Sequence, residues 1–482
     1  MALTKEQLKE IKYLNISTHT HFSIPMGVGK IKDHMKRAAE CGFTGFAITD
    51  SSTMGGALEV INASKDKDFL KKINREKFPI LLGVQLNMID DLEKKDKVNK
   101  YFNISAYAIN NKGYQNLVYL TSIGSKSDHF YHKPRISLPE LIEFQEGLLV
   151  TSGDINGMIA QSILKETGQE ELLVEIFKEH FEERFFFEIH FKDLSKTWNR
   201  ETKEYVDQGF NPQKIVNLRL FELAKKFGVK CVLTQNSYMP EKKHKSLQDI
   251  LIGNHPIGKD GWRFGNAYYT MSVEEMYAEV QKEAPYINDE MFKEFCENSQ
   301  ILLEKAKDLK LSFTPLLPDI KYEESVVNKS QEWEDKYQAI KEDLKTFYPP
   351  LAELFEIGER EIALKTSLKI IIKNEKMDFK NKVYVERLNM ELRVIARNGI
   401  INLCDYFLLL EDVTHFVREN GYLRGFGRGS GAGSLVAYAL DITDCNPIDF
   451  DLLFERFLTK ERVGAINFEI PNFPMKEYGK KE

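Results

Sequence analysis

Short apolar runs alternate with amphipathic stretches from about residue 10 to 240. Ile31, Met35, Ala38 and Ala39 recur at helical spacing and share one face, Gly42 supplies a stop, and Phe43–Thr49 reads as a buried strand. Further strands are predicted at Pro79–Leu86, Phe102–Ala108, Gly147–Ser152, Arg184–Phe191 and Val229–Thr234. Between the last two, the pattern predicts a helix over Pro212–Phe227, with Asn211 as N-cap, proline in the first turn and Gly228 as the stop. A repeated β/α pattern of this kind points to a parallel sheet or barrel covered by helices, with its chemistry at the C-terminal ends of the strands. Thr49-Asp50-Ser51, Gln85, Ser152-Gly153-Asp154 and Gln235-Asn236-Ser237 stand there.

The pattern changes after residue 270. The segment 271–400 is rich in Glu, Lys and Leu with few strand signals, so it reads as mostly helical, and its charge runs, such as Glu332–Glu342, read as solvated faces. A long amphipathic helix is predicted from Tyr384 to Asn398-Gly399, and a second over Asp405–Glu419. The stretch Gly425-Phe426-Gly427-Arg428-Gly429-Ser430-Gly431-Ala432-Gly433-Ser434 follows, leading directly into the apolar run Leu435–Leu440. Alternating glycines permit positive φ and close backbone approach, an arginine and hydroxyls can reach phosphate oxygens, and a helix N-terminus behind them favours an anion. The spacing matches neither the P-loop nor the dinucleotide fingerprint, so a tight glycine turn between packed elements is the competing reading.

Composition narrows the classes. A chain of 482 residues allows two to four domains, and 42% hydrophobic with 29% charged residues describes an ordinary globular protein. A net charge of −6 argues against a uniformly basic nucleic-acid coat but leaves room for a local basic groove. Cys41, Cys231, Cys296, Cys404 and Cys445 show no CxxC spacing, which suits reduced thiols in a cytoplasmic compartment. Met1–Lys12 is charged and lacks an apolar core, so no signal peptide is read, and no apolar run reaches membrane-spanning length.

The segment Glu386–Phe473 resembles the start of the polymerase core in the alpha subunit of bacterial DNA polymerase III, the C family of replicative polymerases. The carrying residues are Gly427–Tyr438, Ile442-Thr443-Asp444, Leu452–Leu458 and Glu461-Arg462-Val463. The N-terminal part is similar to that family's polymerase-and-histidinol-phosphatase (PHP) domain, through Thr18-His19-Thr20-His21-Phe22-Ser23, Ile48-Thr49-Asp50 and Tyr131-His132-Lys133-Pro134-Arg135. The resemblance implies an α/β chain made of a PHP-type β/α barrel over 1–270, a helical palm- or thumb-like region over 271–400, and a partial α+β palm over 401–482. It assigns Arg428, Gly429 and Ser430 to the triphosphate of the incoming nucleotide. It also places Asn467 and Glu469 where the family's catalytic aspartate pair belongs, so that catalytic pair is degenerate, and puts the third carboxylate beyond Glu482.

By the same resemblance the PHP metal ligands are largely replaced, by Ser17, Met26, Ser51, Gln85, Asn103, Asp154, Asn236 and Tyr238. Only His19, Asp50 and Asp154 remain as a vestigial metal set, and the site is expected to be empty; Lys133-Pro134-Arg135 reads as an exposed basic turn. The expected activity is the N-terminal part of a replicative polymerase, inactive alone and using Mg²⁺ once reconstituted. Its expected partners are a DNA primer-template, a dNTP, a second polymerase chain carrying the fingers, as in a split phage-like enzyme, and a sliding clamp; no membrane is expected. A non-catalytic paralogue that binds DNA or replication proteins, and a PHP phosphoesterase disfavoured by the lost ligands, are the alternatives.

Overall fold

Every strand expected from the sequence is present in the computed structural model, which describes residues 2–95, 101–199, 201–259, 261–265, 267–311, 331–356, 381–395 and 403–459. In chain order the strands are β1 (Phe46–Ser51), β2 (Ile80–Ile89), β3 (Phe102–Ala108), β4 (Ile136–Ser137), β5 (Leu148–Thr151), β6 (Phe185–Ile189), β7 (Lys196–Asn199), β8 (Glu204–Asp207) and β9 (Lys230–Leu233). The main sheet runs β1-β2-β3-β5-β6-β9, with β4 added beside β2, and β7-β8 form a separate hairpin. The sheet is mixed and not parallel throughout, because β3 lies antiparallel to both β2 and β5. A chain can enter a neighbouring strand reversed without a crossover helix, and hydrophobic periodicity does not report that direction.

Side chains alternate across this sheet at the expected period of two. Ala47, Leu81, Tyr107, Leu149, Phe186 and Val232 contribute one residue from each of six strands to an inner cluster with Leu14 and Ile16. Their sequence neighbours, such as Ile48, Leu82, Ala106, Val150, Phe187 and Leu233, face the larger core against the helices. The stretch 13–19 closes the curl by bonding to both sheet edges: Thr49 N donates to Thr18 O (2.9 Å), and His19 N donates to Ser237 O (2.8 Å). Helix Pro212–Phe227 forms with the expected ends, since Asn211 accepts from Gln213 N and Lys214 N and Gly228 takes φ 66°.

Two units follow from the packing, Met1–Leu311 and Ser312–Glu482. The first extends past residue 270 because the next three helices are part of its core. Val273, Met276, Val280, Phe292 and Cys296 join the outer cluster, and Leu302 and Ala306 enter the inner one. In the second unit, the helices Lys382–Ile395 and Cys404–Glu419 bury Val385, Leu388, Leu392, Ile395 and Phe407. Those residues pack with Leu435, Val436 and Phe454 from the glycine-rich end.

Candidate functional site

The expected metal residues of the first unit stand at the strand ends, but their lone pairs are committed elsewhere. Asp50, at the end of β1, accepts from Thr20 N (2.6 Å) and Ser23 Oγ (2.6 Å) on one oxygen and from Thr20 Oγ1 (2.8 Å) on the other. Burial raises its carboxyl above the ordinary value, against the pull of those bonds. His19 is fully buried and stacked on Tyr238 at 4.3 Å between ring centres. Ser17 Oγ lies 3.4 Å from its Nε2, and Ser23 and Ser51 Oγ lie 3.4 and 3.5 Å from its Nδ1. Burial lowers this imidazole to about 3, so the ring is neutral.

Asp154 lies on a different loop, accepting from Asn103 Nδ2 (3.2 Å) and Asn156 N (2.8 Å). Among the described residues no three His, Cys, Asp or Glu side chains gather as a metal-binding set. A multinuclear metal centre does not fit this donor set.

What the strand ends do form is a cleft of about 1680 Å³, lined among others by Asn103, Lys133, Asp154, Lys192, Trp198 and Tyr268. Lys192 was not legible as a site residue. Its Nζ donates to Gln235 O and lies 3.5 Å from the centre of the Tyr268 ring, and burial pushes it well below the ordinary lysine range. Four positions earlier, Glu188 is buried beside His190, whose Nε2 is 3.2 Å away, and accepts from Thr151 Oγ1. Their alternation within Phe185–Phe191 was the available signal, masked by the apolar run around them. The expected exposed turn at Lys133-Pro134-Arg135 is corrected in one respect. Arg135 is fully buried, donating to the carbonyls of Leu92, Lys94 and His129 at 2.7–3.0 Å, so it fastens a loop while Lys133 faces the cleft.

The glycine stretch of the second unit is pinned at both ends, with Arg428-Gly429-Ser430 exposed between them. At its entry, Asp444 N donates to Phe426 O (2.8 Å) while the Asp444 carboxylate binds Arg418 (2.8 Å) and Arg424. Gly427 and Gly429 take φ 135° and 71°, conformations that L side chains rarely adopt. At the exit, Arg387 Nη2 donates to Gly433 O (2.6 Å) and Leu452 O (2.8 Å). Arg428, Gly429 and Ser430 between these anchors are exposed, and Arg428 has no ion pair or hydrogen bond among the described residues.

The short helix Leu435–Ala439 follows as expected, but its N-terminus does not face outward for a ligand. Glu391 fills it, accepting from Leu435 N (2.8 Å), Val436 N (3.0 Å) and Ser434 Oγ (2.8 Å), and pairs with Arg387 Nε at 2.7 Å. Ala437 N is taken by Ser434 Oγ (3.1 Å). Burial raises the Glu391 carboxyl above its ordinary value, opposed by the amides of Val436 and Leu435. Asn467 and Glu469, the degenerate aspartate positions, lie outside the described residues.

Residues 15–191 match the PHP domain family, and residues 360–474 match the family described as bacterial DNA polymerase III alpha NTPase domain. The DNA polymerase III subunit alpha of Borreliella burgdorferi is 30% identical over 467 residues, covering 95% of this chain and 35% of that protein. That of Chlamydia pneumoniae is 27% identical over 477 residues, covering 95% and 36%. That of Escherichia coli K12 is 28% identical over 483 residues, covering 96% and 35%. The chain therefore spans about a third of the length of the curated relatives it matches.

Proposed function

We propose that this chain, a homologue of the N-terminal portion of the replicative DNA polymerase III subunit alpha, supplies the triphosphate-binding loop for DNA-directed nucleotidyl transfer. Nucleotidyl transfer also needs fingers and a further carboxylate beside this loop. The observation that carries this is Arg428: an exposed guanidinium, without a partner among the described residues, on a glycine loop whose two ends are fixed by Asp444 and by Arg387 with Glu391. With the helix amides already taken, the ligand contacts are left to the Arg428 guanidinium, the exposed amides of Gly429 and Ser430, and the Ser430 hydroxyl. A guanidinium and backbone N–H groups stabilise phosphate oxygens without a proton transfer, and a loop fixed in advance does so without reorganising.

Divalent metal ions, when bound, activate a primer hydroxyl and neutralise the leaving pyrophosphate. Asn467 brings a neutral carbonyl and Glu469 a longer carboxylate to the positions where that chemistry needs paired aspartates. The same substitution favours a second reading, a non-catalytic paralogue that keeps the fold to bind DNA or replication proteins. Phosphoesterase activity in the first unit is disfavoured by the committed oxygens of Asp50. The polymerase reading takes primer-template DNA, dNTP and a sliding clamp as partners and the paralogue reading takes DNA or replication proteins, both in the cytoplasm; no helix among the described residues is long and apolar enough to cross a membrane.

Co-expression with the product of the adjoining reading frame, followed by primer extension with Mg²⁺, separates the two. Extension that disappears in Arg428→Ala supports the polymerase reading. A stable complex that never extends a primer leaves the paralogue.

A further inference from the structure

We propose that the Thr443 hydroxyl is a positioning group for the glycine loop: it holds the Gly427 carbonyl inward when a ligand is bound, so that the Arg428 amide faces a phosphate. This inference rests on the triphosphate reading of the loop and adds a group that serves it.

The run Ile442-Thr443-Asp444 forms a fixed floor under the entry of the loop. Ile442 N and Thr443 N donate to Ala437 O at 2.9 and 3.3 Å, Arg424 Nη1 donates to Ile442 O at 2.9 Å, and Asp444 N donates to Phe426 O at 2.8 Å. The Thr443 side chain lies against the open face of Gly427. A Cβ added at Gly427 would stand 3.2 Å from Thr443 Cβ and 3.3 Å from its Cγ2. The hydroxyl is carried on that same Cβ.

Thr443 is 5% exposed, and its Oγ1 has no hydrogen-bond partner among the described residues. A buried hydroxyl left unpaired destabilises a fold, whereas a methyl group of the same shape does not. A second state in which the hydroxyl is paired accounts for its presence, and the glycine loop can supply one.

A trans peptide points its N–H and its C=O in opposite directions. The peptide between Gly427 and Arg428 therefore offers the Arg428 N–H to an outside anion only by turning the Gly427 carbonyl towards the floor. Thr443 stands there with a donor to spare. Gly427, at φ 135°, can make that turn because it has no side chain to forbid the intermediate angles. A Cβ added at Gly425 or Gly429 would meet nothing within 4 Å, so the chain on either side has room to follow. The bonds to Ala437 O and Phe426 O keep the floor still while the peptide rotates. Once the Thr443 bond forms, the Arg428 N–H joins its own guanidinium and the amides of Gly429 and Ser430 around one anion.

The test is titration of the full chain with a fluorescent deoxynucleoside triphosphate, as wild type, Thr443→Val, Thr443→Ser and Arg428→Ala. Thr443→Val keeps the shape and removes the hydroxyl. It is expected to bind roughly three- to tenfold more weakly, the scale of one hydrogen bond, and to melt at or above the wild-type temperature. Thr443→Ser, which restores the hydroxyl, is expected to bind as wild type does. Fast hydrogen exchange over Phe426–Ser430 should show nucleotide-induced protection that is smaller in Thr443→Val, a readout that a packing role for Thr443 would not move. Wild-type affinity in Thr443→Val, equal weakening in Thr443→Ser, or a lowered melting temperature in Thr443→Val would each overturn the inference. If Arg428→Ala weakens binding and Thr443→Val does not, this inference alone fails; if neither does, the triphosphate reading fails and takes it along.

Discussion

Asp50 and Glu391 are buried carboxylates that hold a loop in each unit, and they differ in whether a cation accompanies them. Asp50 draws Thr20 and Ser23 onto itself, with no cation in contact among the described residues, and so fills three of the roughly four acceptor positions of its carboxylate. Glu391 binds the amides of Leu435 and Val436 from behind and pairs with Arg387, while Arg428-Gly429-Ser430 stay exposed. In both places burial raises the carboxyl. A carboxylate turned inward ties the strand end of the first unit to its own loop, whereas one placed behind the glycine loop leaves Arg428 exposed for the phosphate contact proposed for it.

The largest test of that contrast is Glu391→Ala, which orphans two buried amides and leaves Arg387 unpaired at 15% side-chain exposure. A loss of about 3–5 kcal/mol is expected, as for other broken buried pairs. Hydrogen exchange at Leu435–Leu440 reads it, with β1 unaffected. Acid comes next. Burial holds His19 at about 3 and His34 at about 4 in the folded first unit, below the ordinary imidazole value of 6.5. The unfolded chain thus takes up protons that the folded one refuses, and stability falls as pH drops from 6.5 towards those values. Between about pH 6.5 and 5.5 the two together cost about 2 kcal/mol. The raised Glu391 has the opposite sign, stabilising its fold as pH falls towards its titration, so exchange should accelerate in β1 while Leu435–Leu440 stay protected.

Asp50→Ala should cost about 1–3 kcal/mol, the penalty of unsatisfied buried donors with no stranded cation. A cost equal to that of Glu391→Ala would erase the distinction between the two carboxylates. Smallest in stability is Arg428→Ala, within about 0.5 kcal/mol as for an exposed side chain. Titration with a fluorescent deoxynucleoside triphosphate should nonetheless show affinity falling about tenfold or more, the loss of a charge-assisted bond.

Much of the first unit was legible because its signals are local. The run Phe102–Ala108 matches β3 to the residue, and Asn211, Pro212 and Gly228 mark both ends of their helix. What escaped depends on residues far apart in the chain. The reversed direction of β3 is set by its neighbours, and Arg135 is buried by carbonyls of Leu92 and Lys94 about forty positions away. The glycine stretch was legible as a cradle or tight turn ahead of a helix, and that helix is present at Leu435–Ala439. Glu391, 44 residues before Leu435, carried no local mark as the anion that would fill the helix N-terminus behind it.

The stretch that closes the curled sheet sets the order in which the protein can be made. Asn15 Nδ2 bonds to Ser237 Oγ across 222 residues, and Ser17 O accepts from Ser237 N. On the ribosome, β1 can pair with β2 early, but the stretch 13–19 cannot meet its second partner until β9 has emerged. Closing so long a loop is entropically slow, so the nascent unit waits with an unpaired sheet edge, the state in which chains recruit chaperones or one another. Substitutions at Asn15 or Ser237 should therefore lower the soluble yield during synthesis by more than they lower the stability of the finished fold.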